Sequence, residues 1–266
     1  MHTKETRVLA AQRRNELLEL VRTRGFVSLP ELAEELAVSE STIRRDLDQL
    51  EQAGSARRTH GGVFYTGQTP GLPHFEERQP ANWRQKQRIA RRAAELIEDG
   101  DTVMLDGGST TYEVARLLVG RPLQVVTNSL PVANLFASRA NIDLVLLGGY
   151  VYPRTGVSIG PYTNDMLRSL SVRTTVLSVA GITIEGYYNS NLLLVETERA
   201  MIAAADQVAV VADSTKFGRR SLAHLCELGG VDTVVVDDDA SSEWQYNIRS
   251  AGVDLIVANG ADETNN

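Results

Sequence analysis

Two stretches of this chain carry residue types that can do chemistry. The first is Asp106-Gly107-Gly108-Ser109-Thr110-Thr111, set between an apolar strand-like run and a helical segment. Free backbone amides at a helix N-terminus attract anions, and glycines let a ligand approach the main chain closely. Ser109, Thr110 and Thr111 add hydroxyl donors, so the chemistry on offer is the binding of a phosphate-like anion. The loop lacks the GK[ST] ending of a nucleotide P-loop and the full GxGxxG fingerprint, which argues against ATP and NAD. Plain turn chemistry is the competing explanation, with Asp106 capping the turn.

The second stretch is the segment from Ser39 to Ala53 (SESTIRRDLDQLEQA). On a helical wheel of about 100° per residue, Ile43, Leu47 and Leu50 fall on one face. Ser41, Arg45, Gln49 and Gln52 fall on the other, with Thr42 and Arg44 at the edges. Such a face suits the DNA major groove, where arginine can bond a guanine edge bidentately. Ser41 and Arg45 are placed for bases, and Ser39, Thr42 and Arg44 for phosphates. Arg57, Arg58 and His60 follow on a short hairpin that can reach the adjacent backbone. A solvated helix face is the alternative.

Elements must exist to position these groups. Apolar residues recur at near-helical spacing from Arg7 to Arg24, and Gly25 ends the run. Phe26-Val27-Ser28 reads as a strand, and Pro30 opens a short helix carrying Leu32, Ala33 and Leu36. Ala37-Val38 turns the chain, Ser39 caps a third helix, Gly54 ends it, and residues 55–65 read as two strands around Gly61-Gly62. Helix, strand, helix, turn, helix and hairpin is the order of a winged helix-turn-helix, here spanning 5–65. Residues 66–82, with Gly67, Pro70, Gly71, Pro73 and Pro80, read as a linker. From Trp83 to about 260, apolar strands alternate with helices. That pattern predicts a doubly wound, mainly parallel α/β sheet. Its polar loops, 106–111, 127–129, 148–149 and 213–218, lie at the carboxyl ends of the strands, where such sheets bind ligands. The polar run Tyr187, Tyr188, Asn189 and Asn191 either closes over a ligand or belongs to an interface. Glu196 and Arg199 read as a helix surface pair.

Composition narrows the classes. The 266 residues are 42% hydrophobic and 23% charged, ordinary values for a folded chain. No apolar run approaches the roughly 18 residues of a spanning helix, the front segment is no signal peptide, and a single cysteine fits a reducing cytoplasm. His2, His60, His74 and His224 show no metal-ligand spacing, and no cofactor is expected. The net charge of −7 at first argues against nucleic acid. Residues 1–62 hold 10 basic and 10 acidic side chains, however, so the rest of the chain carries the whole deficit. DNA binding must therefore rest on where individual arginines point.

Residues 29–62 closely resemble the DNA-binding signature of the DeoR family of bacterial repressors, through ELA, the VS turn, TIRRDL, LEQAG and the THGG ending. Residues 86–218 resemble the effector domain of the same family, whose fold is similar to sugar-phosphate isomerases. The matching pieces are KQRIA (86–90), LDGGSTT (105–111), VVTNSLPVA (125–133), LLGG (146–149), SIGP (158–161), ETERAMI (196–202) and VADSTKFG (211–218). The resemblance implies a phosphorylated-sugar effector. Asp106 would take sugar hydroxyls and the 107–111 loop would take phosphate. Asn128, Gly148 and Gly149 would line the pocket, and Lys216 would supply a cation.

The resemblance also raises catalysis. Ribose-5-phosphate isomerases use acidic residues in a DGADE-like segment, whereas the corresponding stretch here, Ser178-Val179-Ala180-Gly181-Ile182, has no carboxylate to move a proton. Asn259-Gly260-Ala261-Asp262-Glu263 has such a string only at the extreme C-terminus. A non-enzymatic transcription regulator is expected, binding double-stranded operator DNA as a homodimer or homotetramer and answering to a sugar phosphate. The rival expectation is a constitutive DNA-binding protein whose α/β domain serves oligomerisation or a protein partner.

Overall fold

The computed structural model describes residues 2–24, 26–52, 55–58, 62–65 and 74–259. The expected helix stops at Gly25 and Gly54, the Gly61 turn, His60, residues 66–73 and the 260–263 string lie outside these. The chain divides into two compact units, one of Met1–Pro70 with Asn191–Leu193 and one of Gly71–Ser190 with Leu194–Asn266.

In the N-terminal unit, α1 (His2–Arg24) leads to β1 (Phe26–Ser28), α2 (Leu29–Glu35), α3 (Glu40–Gln52), β2 (Ala56–Arg58) and β3 (Gly62–Tyr65). The three strands form an antiparallel sheet in the order β1-β3-β2, which is the wing. Ser28 and Glu31 form a reciprocal capping box on α2, with Pro30 in its first turn. Leu17 and Val21 of α1, Leu32 of α2 and Ile43, Leu47 and Leu50 of α3 meet Val27, Ala56 and Val63 in one core. The buried face of α3 is therefore the one its wheel predicts. One polar residue sits among these apolar groups. Asp46 is buried on α3, and its carboxylate accepts a hydrogen bond from Arg13 Nε of α1 at 2.5 Å. That bond also raises the Arg13 pKa.

The second unit begins with α4 (Phe75–Arg78) and α5 (Trp83–Ala94). Then come β4 (Thr102–Leu105), α6 (Ser109–Leu118), β5 (Leu123–Thr127), α7 (Leu130–Phe136) and β6 (Ile142–Leu146). The hairpin β7 (Tyr150–Tyr152) and β8 (Val157–Ile159) precedes α8 (Pro161–Leu167) and β9 (Val172–Ser178). The chain continues with β10 (Gly181–Thr183), β11 (Gly186–Asn189), α9 (Leu192–Ala203) and β12 (Ala205–Val211). A 3-10 turn at Ser214–Lys216, β13 (Ala223–Cys226), β14 (Thr233–Asp237), α10 (Ser242–Ser250) and β15 (Asp254–Ala258) complete it.

Seven strands make an all-parallel sheet in the order β15-β14-β12-β9-β4-β5-β6. One face, carrying Val103, Leu105, Val125, Val176 and Val211, packs against Ile89 and Ala93 of α5, Val114 and Leu118 of α6 and Phe136 of α7. On the other face the Thr175 hydroxyl donates to the Met201 carbonyl of α9. The predicted doubly wound sheet is thus present. From β4 the chain runs outward one way through β5 and β6, and from β9 the other way through β12, β14 and β15. The boundary between β4 and β9 is the point where strand order reverses, and crevices open beyond the strand ends at such points.

Two features depart from the sequence expectation. The β7-β8 hairpin and the small antiparallel sheet β10-β11-β13 were not foreseen. Their strands have three or four residues, too few to show a period of two. Residues 74–82, expected to be linker, are folded on the α/β unit. Phe75 is buried edge-on against Tyr112 with ring centroids 5.4 Å apart, and its amide donates to the Arg154 carbonyl. One aromatic anchor outweighs the proline-rich composition around it. Among the described residues no helix is long and apolar enough to cross a membrane.

Removing the Asp46 carboxylate strips a charge-assisted hydrogen bond from a buried site and leaves Arg13 unpaired. Asp46→Ala should cost about 1.5–3 kcal/mol in the N-terminal unit. Hydrogen exchange read by mass spectrometry should show faster exchange in α1 and α3, with the parallel sheet unchanged.

Candidate functional site

The exposed face of α3 is assembled as its sequence suggests. Ser39 accepts from the Thr42 amide at 3.3 Å and shares hydroxyl contacts with Ser41 and Thr42. It therefore fixes the helix N-terminus. Ser41, Arg44 and Arg45 are exposed, and Thr42 is half-buried. Arg44 pairs with Glu40 at 3.3 Å, and Arg58 of β2 pairs with Asp48 of α3 at 2.9 Å. Both pairs are open to solvent, and phosphate can replace either carboxylate. Arg45 makes no ion pair with any described residue, which leaves its guanidinium available for a base edge. Arg57 lies in β2, and nothing is described of its side chain.

The α/β unit holds a cavity of about 500 Å³. It opens at the reversal of strand order, beyond the carboxyl ends of β4, β9 and β12. Asp106, immediately after β4, is buried and ties the two central loops together. One oxygen accepts from the Gly108 amide at 2.9 Å. The other accepts from the Ser178 amide at 3.0 Å and the Ser178 hydroxyl at 3.1 Å. Burial raises the Asp106 pKa, and these donors oppose the rise. Gly107 and Gly108 are needed for a reason not read from the sequence. A Cβ on Gly108 would lie 1.5 Å from the Ser178 hydroxyl, and one on Gly107 would lie 1.9 Å from Val157 Cγ1. The protein's own side chains occupy the space that glycine leaves.

Of the expected effector residues, Asp106, Gly107, Gly108, Ser109, Thr110 and Lys216 come together on the cavity wall. Four others sit elsewhere. Thr111 is fully buried in the first turn of α6 and is not a wall residue. Asn128 is also buried, donating to the Ser158 carbonyl while its own carbonyl accepts from the Ser158 amide. It locks the loop after β5 to β8. The Gly148 carbonyl accepts from the Thr163 hydroxyl at 2.8 Å. Gly149 has φ 153°, and a Cβ there would meet the same hydroxyl at 2.1 Å. These two glycines seat α8 and line no part of the cavity.

The wall also contains residues that sequence reasoning missed. Glu77, Arg78, Ala81 and Asn82 come from the segment taken as linker, and Lys86 comes from α5. Ser178, Asn189, Glu198, Asp213 and Arg219 complete the polar lining. Lys86 lay within a quoted motif without a role. Arg78 had no signal, because it lies between Pro73 and Pro80 in a stretch whose composition reads as linker. Of the 187–191 stretch, Asn189 reaches the wall, whereas Tyr187 is core, its hydroxyl donating to the Leu228 carbonyl. Arg199, read as half of a surface pair, donates to the carbonyls of His224 and Leu225.

Four cations, Arg78, Lys86, Lys216 and Arg219, face one cavity. Lys216 sits in the 3-10 turn that Asp213 caps through the Thr215 amide and Asp237 holds through the Ser214 amide. Lys86 Nζ donates to the carbonyls of Arg78 and Ala81 and so pins the 78–82 segment. Burial pulls Lys86 down to about 8, opposed by Asp213. Arg78 lies 5.8 Å from the Phe75 ring centroid, and its buried Nε and Nη2 have no partner among the described residues. Burial lowers its pKa as well. A buried guanidinium with vacant donors is costly unless an anion completes it. This arrangement can bind a small anion that also carries hydrogen-bonding groups.

Comparison with known proteins bears on both units. Residues 13–69 match the family model of the DeoR-like helix-turn-helix domain, and residues 81–238 match that of the DeoR C terminal sensor domain. The glycerol-3-phosphate regulon repressor of Escherichia coli (strain K12) is 35% identical over 228 residues, 85% of this chain and 90% of its own. The uncharacterized HTH-type transcriptional regulator YulB of Bacillus subtilis (strain 168) is 32% identical, covering 86% of this chain and 90% of its own. Among solved structures, a D-ribose-5-phosphate isomerase in complex with phospho-erythronic acid aligns with 51% of this chain and 54% of its own. That match has 17% identity and a TM-score of 0.38, too loose to bear on function. Both units match the two domains of one family in order, and relatives above 30% identity run nearly the full length. The chain therefore belongs to the DeoR family of transcriptional regulators.

Proposed function

We propose that the protein is an operator-binding repressor of carbohydrate metabolism whose DNA affinity is set by a phosphorylated sugar held in the cavity between β4 and β9. The observation that carries this reading is Arg78, a half-buried side chain whose buried Nε and Nη2 have no partner among the described residues, on a wall shared with three other cations. A phosphate group supplies the missing acceptors, and fork-shaped guanidinium donors match phosphate oxygens. A relative is named for the glycerol-3-phosphate regulon, which agrees with a phosphorylated small molecule as effector. Ser109 and Thr110 at the start of α6 add donors, and Lys216 and Arg219 add charge.

The position of Arg78 also supports a route for coupling. The cavity wall at Glu77–Asn82 is the stretch through which the chain enters the α/β unit, and an anion drawn onto Arg78 and Lys86 acts on that stretch. Ligand changes DNA affinity only so far as it prefers one arrangement of this segment over another. Regulators with a helix-turn-helix usually pair to match two-fold operators, and a homodimer or homotetramer is the proposed working form.

Three outcomes test the reading. Arg45→Ala should weaken operator binding by about 1–3 kcal/mol and relax preference at one base pair, as fluorescence anisotropy on single-base operator variants will read. Unchanged affinity removes Arg45 from base readout. A thermal-shift screen of sugar phosphates should give a stabilising ligand, and the same ligand should alter operator mobility shifts. Arg78→Met should abolish both ligand responses and keep operator binding. Absence of any stabilising ligand favours a constitutive regulator. Finally, ligand affinity should fall as pH rises through about 8, because Lys86 then loses its proton while phosphate remains dianionic. Titration calorimetry at pH 7 and pH 9 reads this change, and Lys86→Met should flatten it.

A further inference from the structure

At the floor of the same cavity the protein has a second vacant polar group. Glu198 of α9 is 1% exposed and lines the cavity, and one of its oxygens, Oε1, accepts from Asn189 Nδ2 at 2.7 Å. The other, Oε2, is buried and has no partner among the described residues. Asp213, also buried on this wall, has its Oδ1 taken by Asn82 and Thr215, and Asp106 is in the opposite condition to Glu198, since three donors already converge on it. Its geometry serves the loops. Glu198 Oε2 is thus a buried carboxyl oxygen on this wall that a ligand hydroxyl can meet.

We propose that Glu198 reads the uncharged end of the effector, its Oε2 donating a hydrogen bond to a hydroxyl oxygen of a phosphorylated polyol or sugar. The assignment rests on the phosphate-binding reading of the cavity and adds to it the class of group at the far end. Burial, with the Asp106 charge nearby, raises the Glu198 pKa well above the usual carboxylate range, which favours the protonated form that can donate. Asn189 orients it by donating to Oε1, which leaves the proton on Oε2. Arg78 and Lys86 then select for phosphate, while Glu198 selects against chains that end in bare carbon. A site built to bond a hydroxyl rejects the analogue lacking it far more strongly than an apolar pocket can, because its own polar group is left unpaired.

Glycerol 3-phosphate and propyl phosphate are alike in length and charge and differ in two hydroxyls, which makes them the probes. With the full-length protein, calorimetry should show glycerol 3-phosphate binding at least ~10-fold more tightly than propyl phosphate. Glu198→Gln keeps an acceptor for Asn189 and a donor at the other position, so the preference should survive. Glu198→Leu should bring the two affinities together by weakening glycerol 3-phosphate alone. Preference retained in Glu198→Leu, or lost in Glu198→Gln, overturns the assignment. Equal binding of both probes to wild type overturns it too, while leaving the phosphate reading intact. Failure of wild type to bind either probe sinks the phosphate reading itself. Should Glu198→Leu not fold, the wild-type and Glu198→Gln comparisons still decide.

Discussion

The α/β unit depends on one buried carboxylate at the place where the sheet reverses its order. Strands β4 and β9 are neighbours, and Asp106 bridges their ends through Ser178 and Gly108. Parallel strands leave loops diverging at their carboxyl ends, and a crevice there needs something to hold its floor. Asp106 does this from inside the crevice, which forces Gly107 and Gly108 to be glycine because Ser178 and Val157 press against them. The positions of Ser109 and Thr110 at the start of α6 follow from that clamp.

A similar economy appears in the N-terminal unit. The face of α3 offered to DNA stays free of apolar groups because Ile43, Leu47 and Leu50 bury the opposite side. Asp46 adds a directional bond to this otherwise greasy contact, and direction is what apolar packing lacks. The pairing with Arg13 sets how α3 is rotated against α1, and so where Arg45 points.

Much of this was legible before the structure. The helix-turn-helix order, the parallel sheet and the α3 face follow from periodicity, because each depends on residues close in sequence. The glycine-rich loop at 106–111, between a strand and a helix, was legible for the same reason. Arg78 and Glu198 were not, since each acquires meaning only when distant segments meet at the end of β4, and Asn189 was left open between ligand and interface. Asp106 was read as a ligand group, and the structure gives it three protein donors, a fact visible only once Ser178 is beside it. Asn128, Gly148 and Gly149 show the converse. Polar and glycine residues at strand ends look like a binding surface, yet here the Asn128 amide nitrogen is spent on Ser158, and Thr163 bonds Gly148 and fills the space beside Gly149.

Residues 75–80 fall between the two stretches that the family models match, yet they bring Arg78 to the cavity. Anyone grafting this sensor onto a foreign DNA-binding module would be tempted to cut at residue 81, where the recognised domain starts. Such a chimera would keep the sheet and the Asp106 clamp but leave behind the guanidinium and the Phe75 anchor that seats it. The structural module begins earlier than the matched stretch, and a splice point that preserves the cavity wall lies before Phe75.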